Sequence, residues 1–391
     1  MDALIPTYNR LPVAFTCGRG AWLFDAQGRG YLDGVAGIAV CNLGHAHPAV
    51  AAAVAEQAQT LVHTSNLFRI PLQEQLAERL CAAAGVDSAF FCNSGAEANE
   101  AAIKLARRDG ARKGMAKPKI VVAEGGFHGR TLGALAATGN PQAHEGFAPL
   151  PEGFLRVPYG DAEAIAALDD PEICAVLVEP IQGESGVRIP PAGYLQQLRS
   201  LCDARGWLLM LDEVQTGVGR TGRFLAAEHE GVRPDVVTLA KALGNGLPIG
   251  ACLATAAAAE CLGPGSHGTT YGGNPLAARA ALAVLDTLES QNLPAMAAGA
   301  GESIRQRLAD GLDGVAGVVE VRGRGLMIGV EVDRDIAHLP RAALDEGLIL
   351  NVTGGRVVRL VPPLTLTDDD QQRLADGVVA LLRRHLEPAA A

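Results

Sequence analysis

The stretch WLLMLDE, residues 207–213, decides the fold class of this chain, because five apolar residues in a row end in two carboxylates. A continuously apolar run of this length is typical of a strand that is covered on both faces. Similar runs recur before and after it, and the stretches between them have helical patterns. Strand and helix therefore alternate, which predicts an α/β fold with a mostly parallel sheet flanked by helices.

The other apolar runs lie in the middle of the chain: SAFFC (88–92), KIVVAE (119–124), ICAVLVEP (173–180), DVVTLAK (235–241) and PIGACLAT (248–255). After about residue 275 the pattern changes to helices and short strands, which is typical of a smaller α+β domain. We expect an N-terminal segment (1–50) that packs with the small domain, a large cofactor-binding domain (51–274) and a C-terminal small domain (275–391).

Composition narrows the class of ligand. The 391 residues carry 33 basic and 43 acidic side chains, a formal charge of -10, and this argues against nucleic acid or an anionic membrane as the main partner. The start, MDALIPTYNR, lacks a leader pattern, and no apolar run approaches the roughly 18 residues of a membrane span. Eight cysteines show no metal-like spacing, so we expect a cytoplasmic protein with a small-molecule ligand and no metal site.

Chemically useful residues follow three of the apolar runs. Ser94 and Gly95 begin a helix pattern after SAFFC, with Glu97 completing a capping-box spacing, and the free N–H groups of such a start can hold a phosphate. A capped helix without a ligand gives the same pattern. WLLMLDE ends in Asp212 and Glu213, of which at least one should be buried and need a partner, although a helix cap would satisfy one of them too.

The third residue, Lys241, ends DVVTLAK and precedes a glycine-rich loop. A lysine desolvated at a strand end has a lowered pKa and can act as a nucleophilic amine, although a single lysine more often reaches out to water. Together with an anion cradle and a carboxylate, it matches what pyridoxal 5'-phosphate requires: a phosphate anchor, a partner for the pyridinium nitrogen and an amine that bonds to the cofactor.

Two other classes of protein compete with this interpretation. GVGRTG (217–222) after a strand, with Asp235 further on, fits a dinucleotide-binding fingerprint and thus an NAD-dependent oxidoreductase. The following segment is interrupted by Gly231 and Pro234, too early for a full crossover helix, and dinucleotide binding leaves the two carboxylates unexplained. A catalytically inactive cofactor-binding regulator would lack Lys241 or Asp212, and both are present.

Seven motifs then resemble, in order and spacing, the class III aminotransferases of fold type I: NSGAEANEAAIKLAR, FHGRTLGALAATG, VEPIQGESGV, LDEVQTGVGRTG, AKALGNGLPIG, GTTYGGNP and VRLVPPL. The resemblance covers nearly the whole chain, and within the family it lies nearest the acetylornithine aminotransferases. Ala96 departs from the pattern, because many relatives have threonine there, so a hydroxyl contact to the phosphate is missing while the backbone N–H remains.

The resemblance implies a pyridoxal-phosphate transaminase with Lys241 and Asp212 as catalytic residues. Lys241 would bond to the cofactor and then move the proton, and Asp212 would pair with the pyridinium nitrogen. Phe127 would stack on the ring, and Gln215 would bond the phenolic oxygen. The remaining implied cofactor contacts are Ser94, Gly95, Ala96, Glu213, Val214 and Thr270. Because Thr270 would come from a second subunit, the resemblance implies a homodimer with shared active sites.

The resemblance also assigns substrate contacts. Arg130, with Thr269 close by, would take the α-carboxylate of an acylated ornithine, and Arg359 would take that of glutamate, since a guanidinium binds a carboxylate with two parallel hydrogen bonds. Either arginine could instead belong to a structural ion pair. Glu184 would pair with Arg359 while the ω-amine donor is bound and swing away for glutamate.

Two further positions bear on the donor. Ile38 occupies a position where ornithine aminotransferases tend to have tyrosine, and an apolar side chain there disfavours a free α-amino group. Tyr8 is the other implied substrate contact. The expected reaction is transfer of the ω-amino group of N2-acetylornithine to 2-oxoglutarate in arginine biosynthesis, giving N-acetylglutamate 5-semialdehyde and glutamate. Succinylornithine, ornithine, succinyl-diaminopimelate and other ω-amines remain alternative donors.

Overall fold

The computed structural model describes residues 3–386, and these residues form one seven-stranded sheet and two four-stranded sheets. The strands are, in chain order, β1 (Phe15–Arg19), β2 (Trp22–Asp25), β3 (Gly30–Asp33), β4 (Ser88–Cys92), β5 (Lys119–Ala123), β6 (Phe154–Val157), β7 (Ile173–Val178), β8 (Leu208–Asp212), β9 (Val236–Leu239), β10 (Gly250–Ala254), β11 (Val318–Arg324), β12 (Met327–Val332), β13 (Leu348–Ile349), β14 (Asn351–Thr353) and β15 (Val357–Leu360).

Helices connect these strands and cover the sheets. The α-helices with ordinary right-handed geometry are Pro48–Thr60, Pro71–Ala84, Gly95–Arg112, Leu132–Ala137, Ala162–Ala166, Tyr194–Arg205, Ala256–Ala259, Pro275–Ser290, Leu293–Leu312, Leu339–Asp345 and Asp368–Leu386. Short 3₁₀ turns lie at Pro141–His144, Ala226–Glu230 and Lys241–Gly244.

The large sheet has the order β4-β10-β9-β8-β7-β5-β6. Neighbours from β9 to β6 pair in parallel, whereas β10 runs antiparallel to both β4 and β9. Every residue of β7 and β8 is buried, as their apolar sequences predict. The predicted α/β class with a mostly parallel sheet is confirmed. The sequence analysis did not predict β6, because its FLRV sequence is interrupted by the exposed Arg156 and so is not a continuous apolar run.

The carboxyl ends of β4, β5, β7, β8 and β9 share one edge of the large sheet. This follows from the pairing, since β4 and β9 both run opposite to the β10 strand that lies between them. Side chains in the loops after these strands therefore converge. The helix Gly95–Arg112 begins at this edge and packs against the sheet.

The smaller sheets are built from strands in the N-terminal and C-terminal parts of the described chain. The β1-β2-β3 meander pairs with β13 in parallel, Leu32 lying opposite Leu348, and the second small sheet has the order β11-β12-β15-β14. The helix Pro275–Ser290 packs against the helices Pro48–Thr60 and Pro71–Ala84. The division into segments 1–50, 51–274 and 275–391 stays a prediction, and its outer ends lie beyond the described residues.

Neither a membrane span nor a metal cluster occurs within residues 3–386. No helix there combines the length and the apolar character needed to cross a bilayer. No group of three or more histidine, cysteine or acidic side chains in that range could hold a metal ion.

Gly250, the first residue of β10, fixes how closely the strand approaches the start of the helix Gly95–Arg112. A Cβ added at Gly250 would lie 2.4 Å from the Ser94 carbonyl oxygen and 2.9 Å from Cys92 Sγ. We expect Gly250→Ala to lower the free energy of unfolding by about 1–3 kcal/mol, the usual effect of overpacking. Thermal unfolding measures this effect. Gly263→Ala is the matched control, since a Cβ there meets nothing within 4 Å, and equal melting temperatures for the two variants would contradict the packing described.

Candidate active site

A cavity of about 390 Å³ opens at the shared edge of the large sheet. It has the size of a small-molecule site. Most of the sequence-predicted site residues line it, and so do Val40, Asn93, Asn99, His128 and Glu179. The predicted lining residues are Ser94, Gly95, Ala96, Phe127, Arg130, Glu184, Asp212, Val214, Gln215 and Lys241.

One wall of the cavity is the start of the helix Gly95–Arg112. Ser94 caps it, its hydroxyl accepting a hydrogen bond from Glu97 N at 3.2 Å, while the Glu97 carboxylate accepts from Asn93 N at 2.5 Å. A Cβ on Gly95 would lie 2.6 Å from Val214 Cγ1, so only glycine lets the helix start fit there. The N–H groups of a first helical turn have no carbonyl partner within the helix and attract anions.

Asp212, the last residue of β8, presents a fully bonded carboxylate to the cavity. Its Oδ2 accepts from Asn99 Nδ2 at 2.7 Å and lies 2.8 Å from His128 Nδ1, and its Oδ1 accepts from Val214 N at 3.0 Å. Burial lowers the pKa of His128, but the hydrogen bond and attraction from Asp212 outweigh it and raise the pKa overall. These three hydrogen bonds satisfy the carboxylate of Asp212, a residue that is only 4% exposed.

Lys241 lines the same cavity as this cluster and lies at the start of the turn that follows β9. Burial lowers the pKa of its amine, and the attraction of Glu184 opposes that shift only in part. Its φ of +43° places a non-glycine residue in the left-handed region, a conformation that tends to occur at functional sites. Because its pKa is lowered, the Lys241 amine can lose its proton more readily and act as a nucleophile.

Glu179, after β7, is a cavity carboxyl that the sequence reading missed. It accepts hydrogen bonds from Phe127 N at 2.9 Å and from Gly183 N at 3.4 Å. Burial raises its pKa to about 7, with His128 acting in the opposite direction. The sequence feature that could have identified Glu179 is a carboxylate at the end of an apolar run, the same feature that identified Asp212.

Arg359, on β15 of the second small sheet, does not itself line the cavity but bonds to two residues that do, Glu184 and Gln215. Its Nη1 donates to Glu184 Oε1 at 2.6 Å, and its Nε and Nη2 donate to Asn351 Oδ1 at 3.1 and 2.8 Å. Burial alone would raise the pKa of Glu184, but Arg359 outweighs burial and lowers it. Gln215 joins this pair by donating from Nε2 to Glu184 Oε1 at 3.3 Å.

Arg130 and Phe127 form a second feature of the cavity wall. The Arg130 guanidinium carbon lies 5.7 Å from the centre of the Phe127 ring, within cation–π range. Arg130 is exposed, and Phe127 is partly buried. The aromatic face of Phe127 and the guanidinium of Arg130 thus lie on the same cavity as Lys241.

The structure does not bring Glu213 to the cavity, so its predicted cofactor contact does not occur within this chain. Its carboxylate accepts from Thr216 Oγ1 at 2.5 Å and from the N–H groups of Ala226 and Ala227, both at 2.9 Å. Asp212 and Glu213 are adjacent at a strand end and point in different directions. Glu213 thus takes the capping role that the sequence reading had considered for one of the two carboxylates.

Four other predicted residues lie outside the cavity as this chain alone forms it. Thr270 is exposed, and the Thr269 hydroxyl accepts from Gly272 N at 3.1 Å. Tyr8 is 75% exposed. Ile38 is 39% exposed and has a φ of +67°, within a left-handed turn whose successor Val40 does line the cavity.

The glycine segment 217–222 does not form a dinucleotide site. A 3₁₀ turn, Ala226–Glu230, follows it in place of a crossover helix. Asp235 is engaged elsewhere, accepting from Arg199 Nη1 at 2.8 Å and from Leu209 N at 2.7 Å.

Comparison with known proteins gives the family. The model of the class-III aminotransferases matches residues 5–382. The chain belongs to the class-III aminotransferase family. Acetylornithine aminotransferase 1 of Bordetella bronchiseptica is 50% identical over 387 residues, 98% of each chain.

Solved class-III aminotransferases have the same fold. An ornithine aminotransferase of Toxoplasma gondii, whose structure shows partial occupancy of PLP at its active site, has a TM-score of 0.94 and 36% identity, over 98% of this chain and 92% of that one. The N-acetylornithine aminotransferase of Stenotrophomonas maltophilia has a TM-score of 0.84 and 38% identity, with 97% of each chain covered. The oxidoreductase alternative is therefore wrong.

The buried Glu213 makes stability depend on pH. Burial raises its pKa from 4.5 to about 7, so its contribution to stability is full below its unfolded pKa and is lost as the pH rises through about 7. Glutamine carries no charge at any pH. We therefore expect the melting temperature of Glu213→Gln to increase relative to that of the parent protein as the pH rises from 5 to 8. In free energy of unfolding this change amounts to roughly 3 kcal/mol, since one pKa unit corresponds to about 1.4 kcal/mol.

The exposed Glu163→Gln variant is the control, and its difference from the parent protein should stay constant over the same pH range. A constant difference for Glu213→Gln as well would show that Glu213 is not the buried cap described here.

Proposed function

We propose that this chain is a pyridoxal-phosphate-dependent aminotransferase that transfers the ω-amino group of N2-acetylornithine to 2-oxoglutarate. The products are N-acetylglutamate 5-semialdehyde and glutamate, a reaction of arginine biosynthesis. The observation that carries the proposal is that Glu184 lines the same cavity as Lys241, Asp212 and the start of the helix Gly95–Arg112, and is ion-paired there with Arg359. The 50% identity to an acetylornithine aminotransferase supports the choice of donor.

The cavity fits the cofactor group by group. The first N–H groups of the helix at Gly95 and Ala96 would hold its phosphate. Phe127 would stack on the ring, Asp212 would keep the ring nitrogen protonated, and Lys241 would bond to the aldehyde carbon. When bound, the cofactor would supply an aldehyde carbon that can carry an amino group and an electron-withdrawing ring.

The chain's own residues supply the remaining chemistry. The lowered pKa of the Lys241 amine lets it accept a proton from the substrate carbon and return it. Asn99 and His128 hold the Asp212 carboxylate in one orientation, so its charge stays aligned with the ring. Val214 N fixes the other Asp212 oxygen.

One cavity must accept two different substrates in turn. Arg359 is 1% exposed at its side chain and is held by Asn351, whereas the Glu184 side chain is 36% exposed. Glu184 can therefore turn out to water and leave the guanidinium for the α-carboxylate of glutamate. With Glu184 in place, Arg359 is neutralised, and the donor's α-carboxylate goes to Arg130 instead.

The active enzyme is a homodimer in this proposal. The Asn66 side chain donates to the carbonyl oxygens of Thr269 and Gly272, at 3.3 and 3.1 Å, and joins two loops into one surface. That surface exposes large apolar side chains: Leu67 at 87%, Phe68 at 68% and Tyr271 at 63%. Apolar patches of this kind mark protein interfaces. A second copy packed here would bring Thr270 to the neighbouring cofactor phosphate.

Steady-state kinetics on four amino donors test the substrate. We expect kcat/KM for N2-acetylornithine to exceed that for ornithine and for 4-aminobutyrate by about tenfold or more, because the free α-ammonium of ornithine finds no partner beside apolar side chains such as Val40. Succinylornithine is the fourth donor and should react well. Reactions without 2-oxoglutarate are the control, and a higher kcat/KM for ornithine or 4-aminobutyrate than for both acylated donors would contradict the proposal.

A further inference from the structure

Arg220, in the glycine segment 217–222, is fully buried and lies outside the cavity. Its Nη1 donates to the carbonyl oxygens of Leu326 at 3.0 Å and Pro362 at 2.5 Å, and its Nη2 donates to Asn42 Oδ1. These three acceptors belong to three separate parts of the chain. Burying a guanidinium costs free energy unless its N–H groups are hydrogen-bonded. The three hydrogen bonds of Arg220 therefore hold these three parts of the chain in one arrangement, and losing one of them loosens it.

Asn42 extends the contact in two directions. Its Nδ2 donates to Val218 O at 3.1 Å, and its backbone carbonyl oxygen accepts from Leu364 N at 2.7 Å. The adjoining residues are tied to Asn245, whose Oδ1 accepts from Leu43 N at 2.8 Å and whose Nδ2 donates to Gly44 O at 3.1 Å.

Asn245 directly follows the turn Lys241–Gly244, and Pro362 lies three residues beyond Arg359. Hydrogen bonds and short stretches of backbone therefore connect the Lys241 turn to the segment just after the strand that carries Arg359, through Asn245, the segment 42–44 and Arg220. We call this connection the Asn245–Arg220 bridge. Arg130 is not part of it, since it follows β5 in the large sheet.

We propose that the Asn245–Arg220 bridge positions Arg359 relative to Lys241 and thereby sets the affinity for the substrate whose α-carboxylate Arg359 binds. The inference rests on the proposed function, in which that substrate is glutamate or 2-oxoglutarate. Loosening the bridge moves Arg359 away from its productive distance. It leaves Arg130 in place, so binding of acetylornithine is spared.

Two small substitutions loosen the bridge without emptying the buried Arg220 site. Asn42→Ala removes the acceptor of Arg220 Nη2. Asn245→Gly removes both bonds to the segment 42–44, while glycine still accepts the left-handed φ of +45° at that position. Arg79→Gln is the control, because it breaks ion pairs with Asp286 and Glu289 that share no hydrogen bond with the bridge.

Glutamate and acetylornithine are both amino donors to the same form of the holoenzyme, so each can be measured alone by single-turnover change in cofactor absorbance. We expect the concentration for half-maximal rate to rise by about tenfold or more for glutamate, and by less than about threefold for acetylornithine, as misplacement of a binding group implies. Calorimetric titration with glutarate, an unreactive dicarboxylate, should show weaker binding to both bridge variants and unchanged binding to Arg79→Gln.

Equal weakening of both donors, or of neither, would overturn the inference, since a bridge that only stabilises the fold cannot distinguish them. Unchanged glutarate binding in both bridge variants would overturn it as well. Failure of the proposed function looks different, because the parent holoenzyme itself would then transfer no amino group from acetylornithine or glutamate.

Discussion

The cavity depends on one electrostatic constraint: an amine and several carboxylates face one another with little water to solvate them. Asp212 meets this constraint with three hydrogen bonds, and Lys241 meets it through a lowered pKa. A buried charge that loses its partner is strongly destabilising, so these groups require one another. The parallel strands satisfy the constraint geometrically, because their ends deliver each group to the same edge of the sheet.

A second charge pair, Glu184 with Arg359, joins the large sheet to a small one. Its two members differ in mobility, since Arg359 is fixed on a strand and Glu184 lies on a partly exposed loop. In the proposed function, this difference lets Glu184 cover the Arg359 guanidinium for one substrate and uncover it for the other. The exchange needs no movement of Lys241 or Asp212, and it keeps the buried arginine paired in both states.

The sequence predicted the elements that depend on local pattern. Continuous apolar runs identified β7 and β8, and the polar residues at the ends of such runs identified Asp212 and Lys241. Asn99, His128 and Asn351 were not found, because each acts by bonding a site residue distant in the chain and has no local pattern of its own. Glu213 was assigned to the cofactor because the sequence does not show in which direction each of two adjacent carboxylates points.

Other expectations depend on a second copy of the chain. Thr270 and Tyr8 are exposed here, and no pattern within one chain shows what would cover them. Ile38 was assigned by position in a motif, yet the left-handed turn brings Val40 to the cavity instead. Backbone conformation of that kind, with four consecutive positive φ values from Ala36 to Ala39, is not encoded in apolar periodicity.

The most direct test of this account is to reduce the purified holoenzyme with borohydride and map the modified peptide by mass spectrometry. The account predicts one pyridoxyl-phosphate adduct, on Lys241, within a peptide that contains residues 238–250, because this desolvated amine faces Asp212 and the helix start in one cavity. Loss of the visible absorption band on reduction should accompany it. An adduct on another lysine, or a protein that takes up no pyridoxal phosphate, would contradict the account.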